Sequence, residues 1–151
     1  MILRAASADD AEVLAWTHAL AFDDPWPAPD LKALIDSRGA FALAAETPEG
    51  DVAGFILCRS IAGEAEILTL AVDPAHRRLG VGAALTEAAL GLAAATAGSM
   101  FLEVAADNQG AIALYETAGF EPVGRRVRYY ARRSGEGADA IVMRRTLNSQ
   151  G

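Results

Sequence analysis

The chain has 151 residues, 52% apolar and 22% charged, which is enough for one domain with a packed core and argues against intrinsic disorder. Its net charge of −7 disfavours non-specific nucleic-acid binding, which needs cations to displace phosphate counterions, so no direct nucleic-acid partner is expected. No apolar run reaches the roughly 18 residues of a membrane span, and Met1-Ile2-Leu3-Arg4-Ala5-Ala6 lacks the regions of a secretory signal. A soluble, cytoplasmic protein with no membrane partner is the expectation.

Residues 2–6 read as a short strand, after which Ser7, Asp9 and Asp10 open an amphipathic helix running to about residue 22. The prolines of Asp23-Asp24-Pro25-Trp26-Pro27-Ala28-Pro29-Asp30 stop that helix, and Asp30 is placed to cap a second one through residue 37. Residues 40–46 and 52–60 form an antiparallel pair around the turn chemistry of Thr47-Pro48-Glu49-Gly50-Asp51. The lone cysteine, Cys58, sits in the apolar run Gly54-Phe55-Ile56-Leu57-Cys58 with no histidine near it in sequence, which suits a buried thiol. Residues 64–72 make another strand, 80 to about 97 an alanine-rich helix, and 99–104 a strand parallel to the first, giving a β-α-β unit. Asn108 caps a helix over 108–118, which Gly119 ends. Residues 123–132 and 140–145 flank the glycine-rich Ser134 to Asp139 and suit a closing hairpin. The domain is read as residues 1–147, with 148–151 as a tail.

Two local patterns carry chemistry. Arg125, Arg126, Arg128, Arg132 and Arg133 surround Tyr129 and Tyr130, a basic and aromatic segment that suits either a solvated strand face or an acidic partner. The run Arg77-Arg78-Leu79-Gly80-Val81-Gly82 sits between a strand and a helix, where glycines let a ligand approach outward-pointing N–H groups, and such a place binds phosphate. A nucleotide P-loop would need Lys-Ser or Lys-Thr after its last glycine, but Ala83 and Ala84 follow Gly82. A dinucleotide fold is disfavoured by Leu85 in place of the third glycine and by the long connection from Asp73 to Leu79. What remains is a nest of backbone amides for a pyrophosphate, with arginine adding charge. His18 and His76 lack a second histidine or cysteine at ligand spacing, so no metal is expected.

The segment from Glu64 through Val72-Asp73-Pro74, followed by Arg77-x-x-Gly80-x-Gly82, resembles the acetyl-coenzyme A signature of the GNAT superfamily of N-acetyltransferases. Phe101-Leu102-Glu103-Val104, Asn108, Ala111 to Glu116 and Gly119-Phe120 extend the likeness to the bacterial ribosomal-protein alanine N-acetyltransferases, as do Pro25-Trp26 and Tyr129-Tyr130. The resemblance implies an α/β (α+β) fold: one domain with a mixed, mostly antiparallel sheet of about six to seven strands, a splayed parallel pair formed by residues 64–72 and 99–104, and about four helices. It also implies acetyl-coenzyme A as co-substrate, its pantetheine bonded to the main chain of Leu70, Ala71 and Val72 in a bulged strand. Arg77, Arg78, Leu79, Gly80, Val81 and Gly82 would hold the diphosphate, and Asn108 and Ala111 would lie along the arm.

By the same resemblance Glu103 is the general base, directly or through water, where the residues alone also allow a rim salt bridge. Tyr115 is the general acid for the departing thiolate, where its helical spacing with Ala111 and Ala118 also allows a packed core ring. Trp26, Tyr129 and Tyr130 would wall the acceptor, a peptide or protein N-terminus of ribosomal-protein type. At pH 7 an α-amine of pKa about 7.8 is far more often neutral than a lysine near 10.4, an advantage of about 3.5 kcal/mol that suits a site with one candidate carboxylate. The alternatives are acetylation of a lysine, a polyamine or another small amine, and a noncatalytic acyl-coenzyme A sensor. Oligomeric state is not legible in the sequence.

Overall fold

Seven strands form a single sheet in the order β1-β2-β3-β4-β5-β7-β6. The computed structural model describes the backbone of residues 1–130 and 137–147, and side chains up to residue 127 and from 137 to 147. The strands are β1 (Ile2–Ala6), β2 (Ala40–Glu46), β3 (Val52–Ile61), β4 (Glu64–Val72), β5 (Ser99–Ala105), β6 (Glu121–Tyr130) and β7 (Ala138–Thr146). The helices are α1 (Ala11–Ala21), α2 (Ala28–Ile35), α3 (Val81–Ala93) and α4 (Gln109–Thr117). Every neighbouring pair is antiparallel except β4 and β5, so the mixed sheet, its parallel pair and the four helices match the expected fold class.

Each face of the sheet has its own core. On one, Leu85 and Ala89 of α3 pack with Ile56, Met100, Leu102 and Met143. On the other, Leu14 of α1 and Leu31 of α2 pack with Phe55, Leu57 and Ala71. Strand β3 serves both, which is why Phe55, Ile56, Leu57 and Cys58 form an unbroken apolar run and all are fully buried. Burial pushes the Cys58 thiol well above its ordinary pKa, as expected of an inert core thiol.

Several element ends differ from the sequence reading, and three of the differences have a clear local cause. Ser7 caps a short 3-10 turn, Ala8–Asp10, before α1 begins; Ser7 Oγ accepts from Asp9 N and Asp10 Oδ2 accepts from Ser7 N at 2.8 Å. Asp30 does not cap α2. That helix starts at Ala28 behind Pro27, because Pro29 fits the first turn, where its missing N–H would have had no partner. Helix α3 ends at Ala93, short of residue 97, since its last turn tightens: Thr96 N–H bonds Ala93 O at 3.0 Å and Gly98 N–H docks on Gly63 O at 2.9 Å.

Strand β4 does two things that create space. Its pairing with β3 slips so that Cys58 faces Ile67 while Leu57 faces Thr69, leaving Leu68 as an extra, bulged residue. The bulge therefore precedes the expected position at residues 70–72. One inserted residue exchanges the faces of a strand. Ala65 and Ile67 face the α3 core before it, whereas Leu70 and Val72 do so after it, and Ala71 turns to the α1 core. The parallel pairing with β5 also stops, covering Glu64↔Ser99, Ala65↔Met100 and Glu66↔Phe101. Beyond Glu66 the two strands separate, while β5 stays paired with β7 along its whole length.

Candidate active site

The gap between the separating strands is a cleft of about 640 Å³. Leu68, Thr69 and Leu70 of β4 form one wall, Leu102, Glu103 and Val104 of β5 the other, and Asn108, Ala111 and Tyr115 of α4 close one side. Trp26 and the Asp23-Asp24 segment between α1 and α2 close the opposite side. Main-chain groups of β4 past Glu66 and of β5 past Phe101 have no strand partner across the gap among the described residues. An extended chain can use them.

Glu103 and Tyr115 both line this cleft. The Glu103 side chain is one-quarter exposed, and Arg126 Nη1, reaching across β7, donates to its Oε1 at 2.7 Å. The rim salt bridge and the cleft-facing carboxylate are thus the same residue. Arg125 Nε likewise meets Asp139 Oδ2 at 2.7 Å, so two arginines of the basic segment serve acids of their own sheet. Tyr115 is 6% exposed, packs edge-on against Phe120 at 5.8 Å between ring centroids, and belongs to the α3-side core as well as to the cleft wall. Asn108 caps α4: its Oδ1 accepts from Ala111 N–H at 3.1 Å, which leaves the amide NH₂ as a donor on the same side chain.

Residues 77–80 are exposed and lie at the start of α3, outside the lining of the cleft proper. Arg78 and Gly80 have left-handed backbones, with φ of 68° and 76°. Gly80 stands at the N-cap and has no side chain of its own to cap the first-turn amides of α3. The two glycines have different reasons. Gly80 supplies the left-handed turn, whereas Gly82 is buried and a Cβ on it would come within 2.8 Å of Leu114 Cδ1. Leu70 and Val72 border that same spot, which joins the amide turn to the cleft. Ala71 is 1% exposed, its side chain turned to the opposite core.

Trp26 lines the cleft, whereas the side chains of Tyr129 and Tyr130 lie outside the described residues, as does the segment 148–151. Sequence reasoning missed His18. It is 1% exposed, its Nδ1 accepts from Trp26 N–H at 3.1 Å, and its Nε2 lies 3.1 Å from Thr69 Oγ1. The signal was its place four residues after Leu14 on the buried stripe of α1. Among the described residues no group of three His, Cys, Asp or Glu side chains is arranged to hold a metal, and no helix is long and apolar enough to cross a membrane.

Comparison with known proteins agrees with this geometry. The family model described as "Acetyltransferase (GNAT) family" matches residues 10–120. The chain is 42% identical over 126 residues to an uncharacterized protein of Mycobacterium leprae, covering 82% of this chain but 34% of that longer protein. It is 37% identical over 142 residues to the N-alpha-acetyltransferase RimI of Mycobacterium tuberculosis, covering 90% of this chain and 86% of the relative. Among solved structures, the ribosomal-protein-S18-alanine N-acetyltransferase from Escherichia coli superposes with a TM-score of 0.88 at 28% identity, covering 99% of this chain and 97% of that one. A matching family model over most of the chain, a shared fold and a cleft at the strand separation lead to one assignment: the chain belongs to the acetyltransferase (GNAT) family.

Proposed function

We propose that this chain transfers the acetyl group of acetyl-coenzyme A to the α-amino group of a protein N-terminus within one ternary complex. The observation that carries this reading is that Glu103 and Tyr115 line a single cleft opened by the separation of β4 and β5. The pantetheine arm enters as an extra strand on the main chain of Leu70, Ala71 and Val72, with Asn108 and Ala111 along it. Arg77, Arg78, Leu79, Gly80, Val81 and Gly82 present amides and positive charge to the diphosphate. Glu103 takes one proton from the acceptor ammonium, the amine nitrogen bonds to the thioester carbon, the C–S bond breaks, the Tyr115 phenol gives its proton to the leaving sulfur, and the second proton shed by the nitrogen as it becomes an amide restores the phenol while Glu103 releases its own to solvent. Arg126 holds Oε1 of Glu103, so Oε2 is the oxygen for the incoming ammonium.

Trp26, with Tyr129 and Tyr130, walls the acceptor. Relatives whose names specify N-alpha-acetylation and the alanine of a ribosomal protein support a small first residue and a ribosomal-protein acceptor. The test is acetylation with labelled acetyl-coenzyme A across free N-terminal peptides, the same peptides blocked, lysine peptides and polyamines. Label on free N-termini is expected, with kcat reduced about 10²-fold or more by Glu103→Gln and by Tyr115→Phe. Label on blocked lysine peptides or polyamines alone would reject the N-terminal acceptor, and unchanged kcat in both variants would reject the assigned roles.

A further inference from the structure

Thr69 is the first residue past the bulge at Leu68, and its side chain stands on the α1 and Trp26 side of β4. Leu70 next to it faces the other way, toward Gly82 and the start of α3. The Thr69 hydroxyl therefore sits on the acceptor side of the cleft, not the diphosphate side. What it can do there is fixed by His18. Trp26 N–H donates to Nδ1 at 3.1 Å, so in the neutral ring the proton is on Nε2, and Nε2 donates to Thr69 Oγ1 at 3.1 Å. The ring is 1% exposed and stacked on Phe22 at 4.3 Å and Trp26 at 5.1 Å, so it cannot turn over freely, and burial holds its pKa near 4. A hydroxyl that accepts from its one partner among the described residues keeps its own hydrogen to give, and Thr69 lines the cleft.

We propose that the Thr69 hydroxyl donates a hydrogen bond to the carbonyl oxygen of the acceptor's first residue, and that His18 is the positioning residue that fixes this donor's direction. The inference deepens the N-terminal reading above and rests on it. An α-amine carries a carbonyl carbon two bonds from its nitrogen; a lysine side chain or a polyamine has none there. The contact would thus register the attacking nitrogen and select α-amines over ε-amines.

The test compares wild type, Thr69→Val and Thr69→Ser on an N-terminal alanine peptide and on its analogue with the first carbonyl reduced to methylene. Thr69→Val is expected to lower kcat/KM for the normal peptide about tenfold, leave the acetyl-coenzyme A KM within about twofold, and cost nothing further on the reduced analogue. Thr69→Ser should restore the rate. Equal loss on both peptides, or a loss confined to the acetyl-coenzyme A KM, would overturn the inference. Inactivity of the wild type on every free N-terminus would sink the N-terminal reading and this one with it, whereas an active wild type with an indifferent Thr69→Val would sink this one alone. A readout independent of turnover is the ¹⁵N spectrum of the His18 ring, where the Nε2–H tautomer is expected and the Nδ1–H tautomer would overturn the assignment.

Discussion

His18 should make the protein acid-sensitive in a defined window. Burial pushes its pKa down from the ordinary 6.5 to about 4, so between those values the unfolded chain binds a proton that the folded chain refuses. Stability from this residue is complete above pH 6.5 and is lost as pH falls toward 4. Asp10 acts lower. The Arg4 hydrogen bond, at 2.9 Å, holds its carboxyl below the usual 3.8, so its contribution survives until pH falls past that value. Thermal unfolding midpoints are therefore expected to drop between pH 6.5 and 4, and His18→Gln should flatten that drop while keeping the loss below 3.8. Parallel profiles for the two proteins would show that another group titrates.

At the level of elements, three glycines separate packing from backbone freedom. A Cβ on Gly54 would stand 2.9 Å from Ala71 O and 3.0 Å from Val81 Cγ1, because β3 passes close under the start of α3. The carbonyl belongs to a paired strand and cannot yield, so Gly54→Ala should cost about 3 kcal/mol, whereas Gly82→Ala, which meets the mobile end of Leu114, should cost about 1. Gly80→Ala meets open space but must keep φ near 76°, a penalty of about 1–2 kcal/mol. Urea unfolding of the three variants checks the order. The comparison also shows what the chain discloses locally. Arg77 to Gly82 was readable because a left-handed turn before a helix needs its glycine within a few residues. The position of the bulge at Leu68 was not, because Glu64 to Val72 reads as one continuous strand and only its partner β3 reveals the slip. The end of α3 was hidden for a similar reason: Ala94, Ala95 and Ala97 favour helix, and the stop comes from Gly98 docking on the distant Gly63. Glu103 and Tyr115 could be singled out by their place in a pattern and line the cleft, while the contact of His18 on α1 with Thr69 on β4, far apart in sequence, has no local signal.

For the whole molecule, the cleft makes ligand binding and stability one quantity. A co-substrate that completes hydrogen bonding along β4 binds the folded state alone, and saturation at a hundred times Kd should add about 2.7 kcal/mol. Acetyl-coenzyme A is expected to raise the unfolding midpoint and to slow amide exchange at Ile67 through Val72 more than at Glu64 through Glu66, which already pair with β5. Uniform slowing, or none, would place the arm elsewhere. The same geometry has a defensive side. A sheet ordinarily guards only its outer margins against stray strands, but this one parts in the middle and exposes two raw borders to each other. The notch narrows toward Glu66 and Phe101 and is flanked by α4 and by the Trp26 segment, so it admits one thin thread and shuts out the broad edge of another sheet. Among the described residues, the backbone beyond Glu66 and Phe101 is thus held open to a guest at the centre of the sheet, in a slot too narrow for a second sheet edge.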